Sequence, residues 1–269
     1  MFESIGRSIE LFKTSWGILM DDKKLLVFPF LSGIVSIIVL LTFIVPLVIG
    51  QYLGGIVSIA ALFLFYLVSY FVVIFFNTAL IACVNARLQG KELGVGEGLS
   101  VAFGHFVSIL GWALVSATVG VILNQLREQG GFLGQIAATI AGGAWGLVTF
   151  FVVPVLVLED KGVFDAVRES GSLIRKTWGE TIIGSGSIML VFFIIGVIGF
   201  LGVIATLFTG SMALFGIALV LFIGLVIVLA CVAAAMQGIF VTALYTYART
   251  GSVPTAFRQD LIRNAFVQK

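Results

Sequence analysis

Apolar and polar positions alternate in long blocks rather than at short period. Six apolar runs cover residues 25–49, 53–83, 101–123, 134–158, 181–208 and 212–244, and every Lys, Arg, Asp and Glu lies outside them. Each run exceeds the ~20 residues that an α-helix needs to cross a ~30 Å hydrocarbon core. Closed barrels also span bilayers, but they show ~10-residue alternating segments, which are absent from this sequence. The short segments between runs carry a different period. From Phe2 to Leu19 apolar residues fall at Phe2, Ile5, Ile9, Phe12, Trp16 and Leu19, steps of three and four that mark one face of a helix. Phe164, Val167, Gly171, Ile174 and Trp178 form a second such stripe, with Asp165, Arg168, Glu169, Ser172 and Arg175 facing away. A weaker stripe at Val95, Leu99, Ala102 and Phe106 precedes the third run, and a last one follows the sixth at Phe257, Leu261, Ala265 and Phe266.

Two of these segments share letters as well as period. Ser8, Leu11, Lys13, Ser15, Trp16 and Gly17 align with Ser170, Leu173, Arg175, Thr177, Trp178 and Gly179. The pattern predicts an all-α, polytopic membrane protein of six transmembrane helices. They form three hairpins, each preceded by a cytoplasmic interfacial amphipathic helix. One membrane domain, 1–269, then divides into units of about 1–86, 87–160 and 161–246, with a terminal amphipathic helix at 252–267. Repeats that enter the membrane in the same direction are parallel repeats about its normal. The amphipathic segments are expected to lie as elbows in the headgroup layer, with Trp16 and Trp178 as interface anchors. Lipid sensing is the competing reading, and the interleaving of acids with bases weakens it.

Charge adds orientation. The chain has 15 Lys+Arg and 13 Asp+Glu, for a net charge of +2. With the N-terminus cytoplasmic, Arg127 is the single base left outside, so the positive-inside rule places both termini in the cytoplasm of a multi-pass plasma-membrane protein. A balance of +2 gives no reason to expect a nucleic-acid partner. The first ~20 residues carry both signs of charge, unlike a cleavable signal. No loop approaches the ~50 residues of a separate soluble domain. Composition agrees, at 60% hydrophobic residues, 10% charged residues and a mean hydropathy of +1.20.

Polar chemistry within the runs is sparse. Asn77 and Asn85, eight residues apart, share a face of the second helix, and Gln237 lies near the inner end of the sixth. Such amides serve as interhelical hydrogen-bonding groups or line a polar path, and the first role is the commoner. Gly134, Ala138, Gly142 and Gly146 recur every four residues, a small-residue ridge suited to close helix packing or to an oligomer seam. Pro154 removes a backbone donor near the inner end of the fourth run. Cys83 and Cys231 read as small packed hydrophobes on the reducing side. His105, the only histidine, reads as an interfacial hydrogen-bonding residue.

Enzyme chemistry fails on inventory. The spans contain no carboxylate, and the serines of Gly184-Ser185-Gly186-Ser187 have no neighbouring general base that spacing identifies. There is no histidine pair, Cys-x-x-Cys or P-loop, so no cofactor, metal or catalytic residue is expected. Asp21, Asp22, Glu92, Glu97, Glu159 and Asp160 share the inner side and read as solvated helix caps rather than a cation site.

Four stretches carry a resemblance. S-I-x-L-F-K-x-S-W-G from Ser8, D-D-K-K-L-L-V-F-P from Asp21, F-F-V-V-P-V-L-V-L-E-D from Phe150 and L-Y-x-Y-A-R-x-G-x-V-P from Leu244 look like a family of bacterial and archaeal six-helix integral membrane proteins. That family carries only a domain-of-unknown-function label. It is more distantly similar to the membrane domain attached to some glycerophosphodiester phosphodiesterases. The resemblance implies the six-helix topology and no activity. The expected function is a non-enzymatic scaffold or lipid-associated component, with membrane lipids and a homo-oligomer or other membrane proteins as partners. The alternative is a permease or oligomeric pore for a neutral or amphiphilic solute.

Overall fold

The computed structural model describes residues 13–251, with the side chains of 51–53, 176–185 and 187 outside the description. All regular structure among the described residues is helical. Residues 13–21 form a helix. A 3₁₀ turn, Lys23–Leu26, then leads into α1 (Val27–Leu53). It is followed by α2 (Gly55–Leu88), α3 (Val95–Gly104), α4 (Phe106–Gln129), α5 (Gly131–Val148), α6 (Val152–Leu158), α7 (Val163–Leu207) and α8 (Met212–Thr250). Among the described residues, six stretches are long and apolar enough to cross a membrane: Lys23–Gly50, Gly55–Leu88, Phe106–Gln129, Gly131–Leu158, Ile188–Leu207 and Met212–Thr250. The chain is a helical membrane protein, and its fourth span is built from α5 and α6 together.

The segments between spans differ from the sequence expectation in instructive ways. Residues 124–133 read as an outer loop, yet α4 continues to Gln129 and only Gly130 separates it from α5. The polar residues stay helical because they pair one turn apart. The Asn124 amide donates to Glu128 at 2.9 Å and the Gln129 amide to Gln125 at 2.8 Å. The third amphipathic segment is likewise not a separate helix, since α7 runs unbroken for 45 residues from Val163 into the fifth span. Its buried face holds Ala166, Ser170, Leu173 and Ile174, whereas Phe164 is 82% exposed. Ile174 and Val167 of the expected stripe pack inward and Phe164 does not. In a bilayer an apolar side chain gains as much from lipid as from the bundle, so apolarity alone does not fix the edges of a stripe.

Helix α3 follows its stripe more closely. Ala102 is buried and Leu99 half-buried. At Gly98 the backbones of α3 and α2 nearly touch. A Cβ there would fall 2.6 Å from Cys83 Sγ, 3.0 Å from the Phe28 ring and 3.1 Å from the Ala79 carbonyl oxygen. Trp16 is 40% exposed. The expected stripe at residues 2–12 and the terminal helix at 252–267 lie outside the described residues, as does the side chain of Trp178.

The most extensive packing joins α7 to α8, α1 to α2 and α2 to α4, followed by α4 to α5. Helix α2 is central, touching α1, α3, α4, α6 and α8. The core gathers Phe75, Ala79, Leu80 and Val84 of α2, Trp112 of α4, Phe151 and Leu156 at α6, and Met236 and Ile239 of α8. It lies toward the charged end of the bundle, where Asp22, Arg87, Glu159 and Arg249 terminate the helices. The opposite halves are largely uncovered. Only 0–33% of the most hydrophobic 18-residue window of each span is buried, and for α8 the figure is zero.

Candidate functional site

The site is organised by a break in the fourth span. Pro154 has no N–H to give to the carbonyl of Phe150, and its ring crowds that carbonyl, so the helix cannot pass through this turn undisturbed. Between α5 and α6 the ladder opens at Thr149–Phe151. Ser170 of α7 enters the opening. The Phe151 N–H donates to its Oγ at 3.0 Å, while its hydroxyl donates to the Val148 carbonyl at 2.6 Å. One buried hydroxyl thus satisfies a donor and an acceptor that the missing turn leaves behind.

Beside the break is a cavity of about 250 Å³ between α1, α2, α6 and α8. Asn77, Gln237 and Ser32 are the residues of its lining with polar side chains. Its described lining contains no Asp, Glu, Lys, Arg or His. On the side nearer the charged end Leu80, Pro154 and Val241 of the lining are buried and Pro29 is half-buried. In the other direction the lining reaches Val73 and Ala234, both exposed. Two of the three intramembrane amides singled out from sequence, Asn77 and Gln237, therefore share one wall system. Asn85 stays half-buried two turns closer to the charged end and is not part of the lining.

Beyond Pro154 and Val241 sits an ionic cluster that joins three segments. Arg249 of α8 reaches Glu159 at 2.8 Å and Glu169 at 2.9 Å, and Lys161 reaches the same two carboxylates at 2.8 and 3.3 Å. The Tyr245 hydroxyl donates to Glu159. The Glu159 side chain is only 12% exposed. Burial pushes its carboxyl up, but hydrogen bonds from Lys161 and Tyr245 and the charge of Arg249 outweigh that and hold it below the ordinary carboxylate value. The hydrogen bond to Glu159 raises Lys161, partly offset by burial and reinforced by Glu169.

The other sequence candidates are dispersed. His105 sits between α3 and α4, its Nδ1 2.9 Å from the Val101 carbonyl and its Nε2 3.7 Å from the exposed Asp160 carboxylate. The Asp22 carboxylate accepts from the Lys24 N–H, and Glu97 accepts from the Gly94 N–H at 2.6 Å. These are caps of a 3₁₀ turn and of α3. Among the described residues no group of three His, Cys, Asp or Glu is placed to hold a metal ion. Along the small-residue ridge, Gly134 and Ala138 are buried; a Cβ on Gly134 would overlap the Leu126 carbonyl oxygen. Gly142 faces Leu123, with 3.5 Å to an added Cβ, and Gly146 meets nothing within 4 Å. Ser170, Ser32 and the Glu159–Tyr245–Arg249 contacts were not expected from sequence. A signal did exist. Ser170, Glu159, Tyr245 and Arg249 fall in the repeated Ser-to-Trp motif, the F-F-V-V-P stretch and the L-Y-x-Y-A-R stretch, but nothing in one dimension pairs residues 80–90 positions apart.

A family described as being of unknown function (DUF6159) matches residues 56–255, which include α2 to α8 and every member of the cavity wall except those on α1. No curated protein matches the chain.

Proposed function

The chain belongs to that family of unknown function, and we propose that it is a non-enzymatic membrane component that associates with lipid and organises its surroundings. The uncovered far halves of the spans carry this reading. Apolar side chains such as Ile56, Met189, Val220 and Leu221 are 69–86% exposed, a surface that only hydrocarbon or another apolar protein surface covers without loss. A homo-oligomer is part of the same reading, as is a plasma-membrane location with both chain ends cytoplasmic, inferred from the placement of the bases. The helix at 13–21, α3 and the first turns of α7 are read as elbows at the inner surface. A distant relation to the membrane domain of some glycerophosphodiester phosphodiesterases, proposed from the sequence stretches alone, would fit a lipid environment.

The broken fourth span favours a second reading, a permease or pore for a neutral solute, because unwound backbone beside a polar cavity is how many transporters build a site. Against it, the described lining carries no ionisable side chain to couple transport, and its exposed members, Val73 and Ala234, are apolar. Protein reconstituted in nanodiscs is expected to retain lipid in native mass spectrometry and to show neither solute flux nor conductance. Reproducible flux altered by Gln237→Leu, with folding intact, overturns the lipid reading. For orientation, a cysteine at Gln129 is expected to react with an impermeant thiol reagent from outside intact cells and one at Gln89 to stay unlabelled.

A further inference from the structure

The cavity beside the break has a chemistry of its own, and it rests on the lipid-associated reading above. We propose that it binds the uncharged, hydroxyl- and ester-bearing head of a single-chain amphiphile of the monoacylglycerol class. Four observations combine. The first is polarity without charge. The Asn77 and Gln237 amides both donate and accept, and Ser32 offers a hydroxyl. That set matches alcohols and esters, which also donate and accept, and provides no counter-ion for a phosphate or an ammonium.

The second is depth. Asn77 lies ten residues before Arg87, about 15 Å deeper along α2. A charged head carried to that depth costs several kcal/mol unless a partner waits there. Beyond Pro154 and Val241, the charges of Glu159, Lys161, Glu169 and Arg249 pair with one another. The third is size. A cavity of about 250 Å³ has room for a small polar head such as a glyceryl ester. The fourth is the direction of the opening. Val73 and Ala234 of the lining are exposed on the spans, while Leu80, Pro154 and Val241 on the side nearer the charged end are buried. A tail that leaves past Val73 and Ala234 enters hydrocarbon, with the head held beside Asn77 and Gln237.

The test uses the full-length protein in phosphatidylcholine nanodiscs, doped with either monoolein or lysophosphatidic acid carrying the same oleoyl chain. Native mass spectrometry is expected to find about one monoolein per protomer and at least tenfold less lysophosphatidic acid. Ala234→Phe, which blocks the mouth from an exposed position, is expected to cut monoolein retention at least tenfold with unchanged thermal stability. Asn77→Leu is expected to do the same from inside the wall. Equal retention of the anionic lipid, or monoolein retention untouched by Ala234→Phe, overturns the proposal. Phosphatidylcholine retained by every variant without selective monoolein binding sinks this assignment and leaves the general lipid reading standing. Loss of all bound lipid sinks both.

Discussion

At the residue scale, Ser170 links two helices by standing in for a missing turn. Its hydroxyl donates to the Val148 carbonyl and accepts from the N–H of Phe151, which is buried. Ser170→Ala leaves one buried N–H and one carbonyl without that partner. The expected cost is about 1–3 kcal/mol for each group that finds no substitute. Thermal unfolding in detergent is expected to show a clear drop in Tm, while Ser172→Ala, on the exposed side of the same helix, leaves it unchanged. Equal Tm values for the two variants would mean that the break does not depend on this hydroxyl. Gly98 makes a similar point by subtraction. Its missing side chain is what lets α3 rest on Cys83, Phe28 and Ala79.

At the element scale, the small-residue ridge of α5 is not one surface. Its first half, Gly134 and Ala138, is pressed against α4, and its last member is open. Substitutions along it are expected to grade accordingly. Gly134→Ala should destabilise most, because the new Cβ overlaps backbone that cannot retreat. Gly142→Ala places a methyl at ordinary contact distance from Leu123 and should change Tm little. Gly146→Leu should leave protomer stability intact. If it also alters the stoichiometry seen in nanodiscs, the open end of the ridge is an oligomer seam; unchanged stoichiometry assigns it to lipid. Helix α7 belongs to this scale too. Its unbroken 45 residues make the elbow and the fifth span one lever, so Ser170 transmits the position of the break directly into the α7–α8 pair.

At the scale of the whole molecule, the ionic cluster gathers the end of α6, the start of α7 and the end of α8 beneath the cavity. The Glu159 carboxyl is held below its ordinary value, so the stability it contributes is present above about pH 4.3 and is lost as pH falls through its lower, folded value. Lys161 is raised, so its contribution is present below about pH 10.4 and is lost as pH rises beyond its folded value. Stability is expected to plateau between these limits and to fall on both sides. Glu159→Gln should flatten the acid limb measured by thermal unfolding. An acid limb identical to that of the unaltered protein would remove Glu159 from the account.

The six apolar helices were legible in the sequence because hydrocarbon imposes a length and excludes charge, and both are one-dimensional properties of 25–49 or 212–244 as letters. The same solvent explains what stayed hidden. Because lipid and bundle interior are equally apolar, the stripe from Phe164 to Trp178 did not reveal that Ala166 and Ser170 turn inward while Phe164 turns out. Pro154 announced a disturbance in the fourth span, but only the approach of α7 determined that Ser170 would fill it. Asn77 and Gln237 were visible as polar residues in apolar runs. Their meeting in one cavity, and the meeting of Glu159 with Tyr245 and Arg249 across some 90 residues, depended on α2, α6 and α8 packing side by side. Hydrophobicity determined which residues enter the membrane, and close packing at a few small side chains, backbone gaps and ion pairs decided which of them face one another.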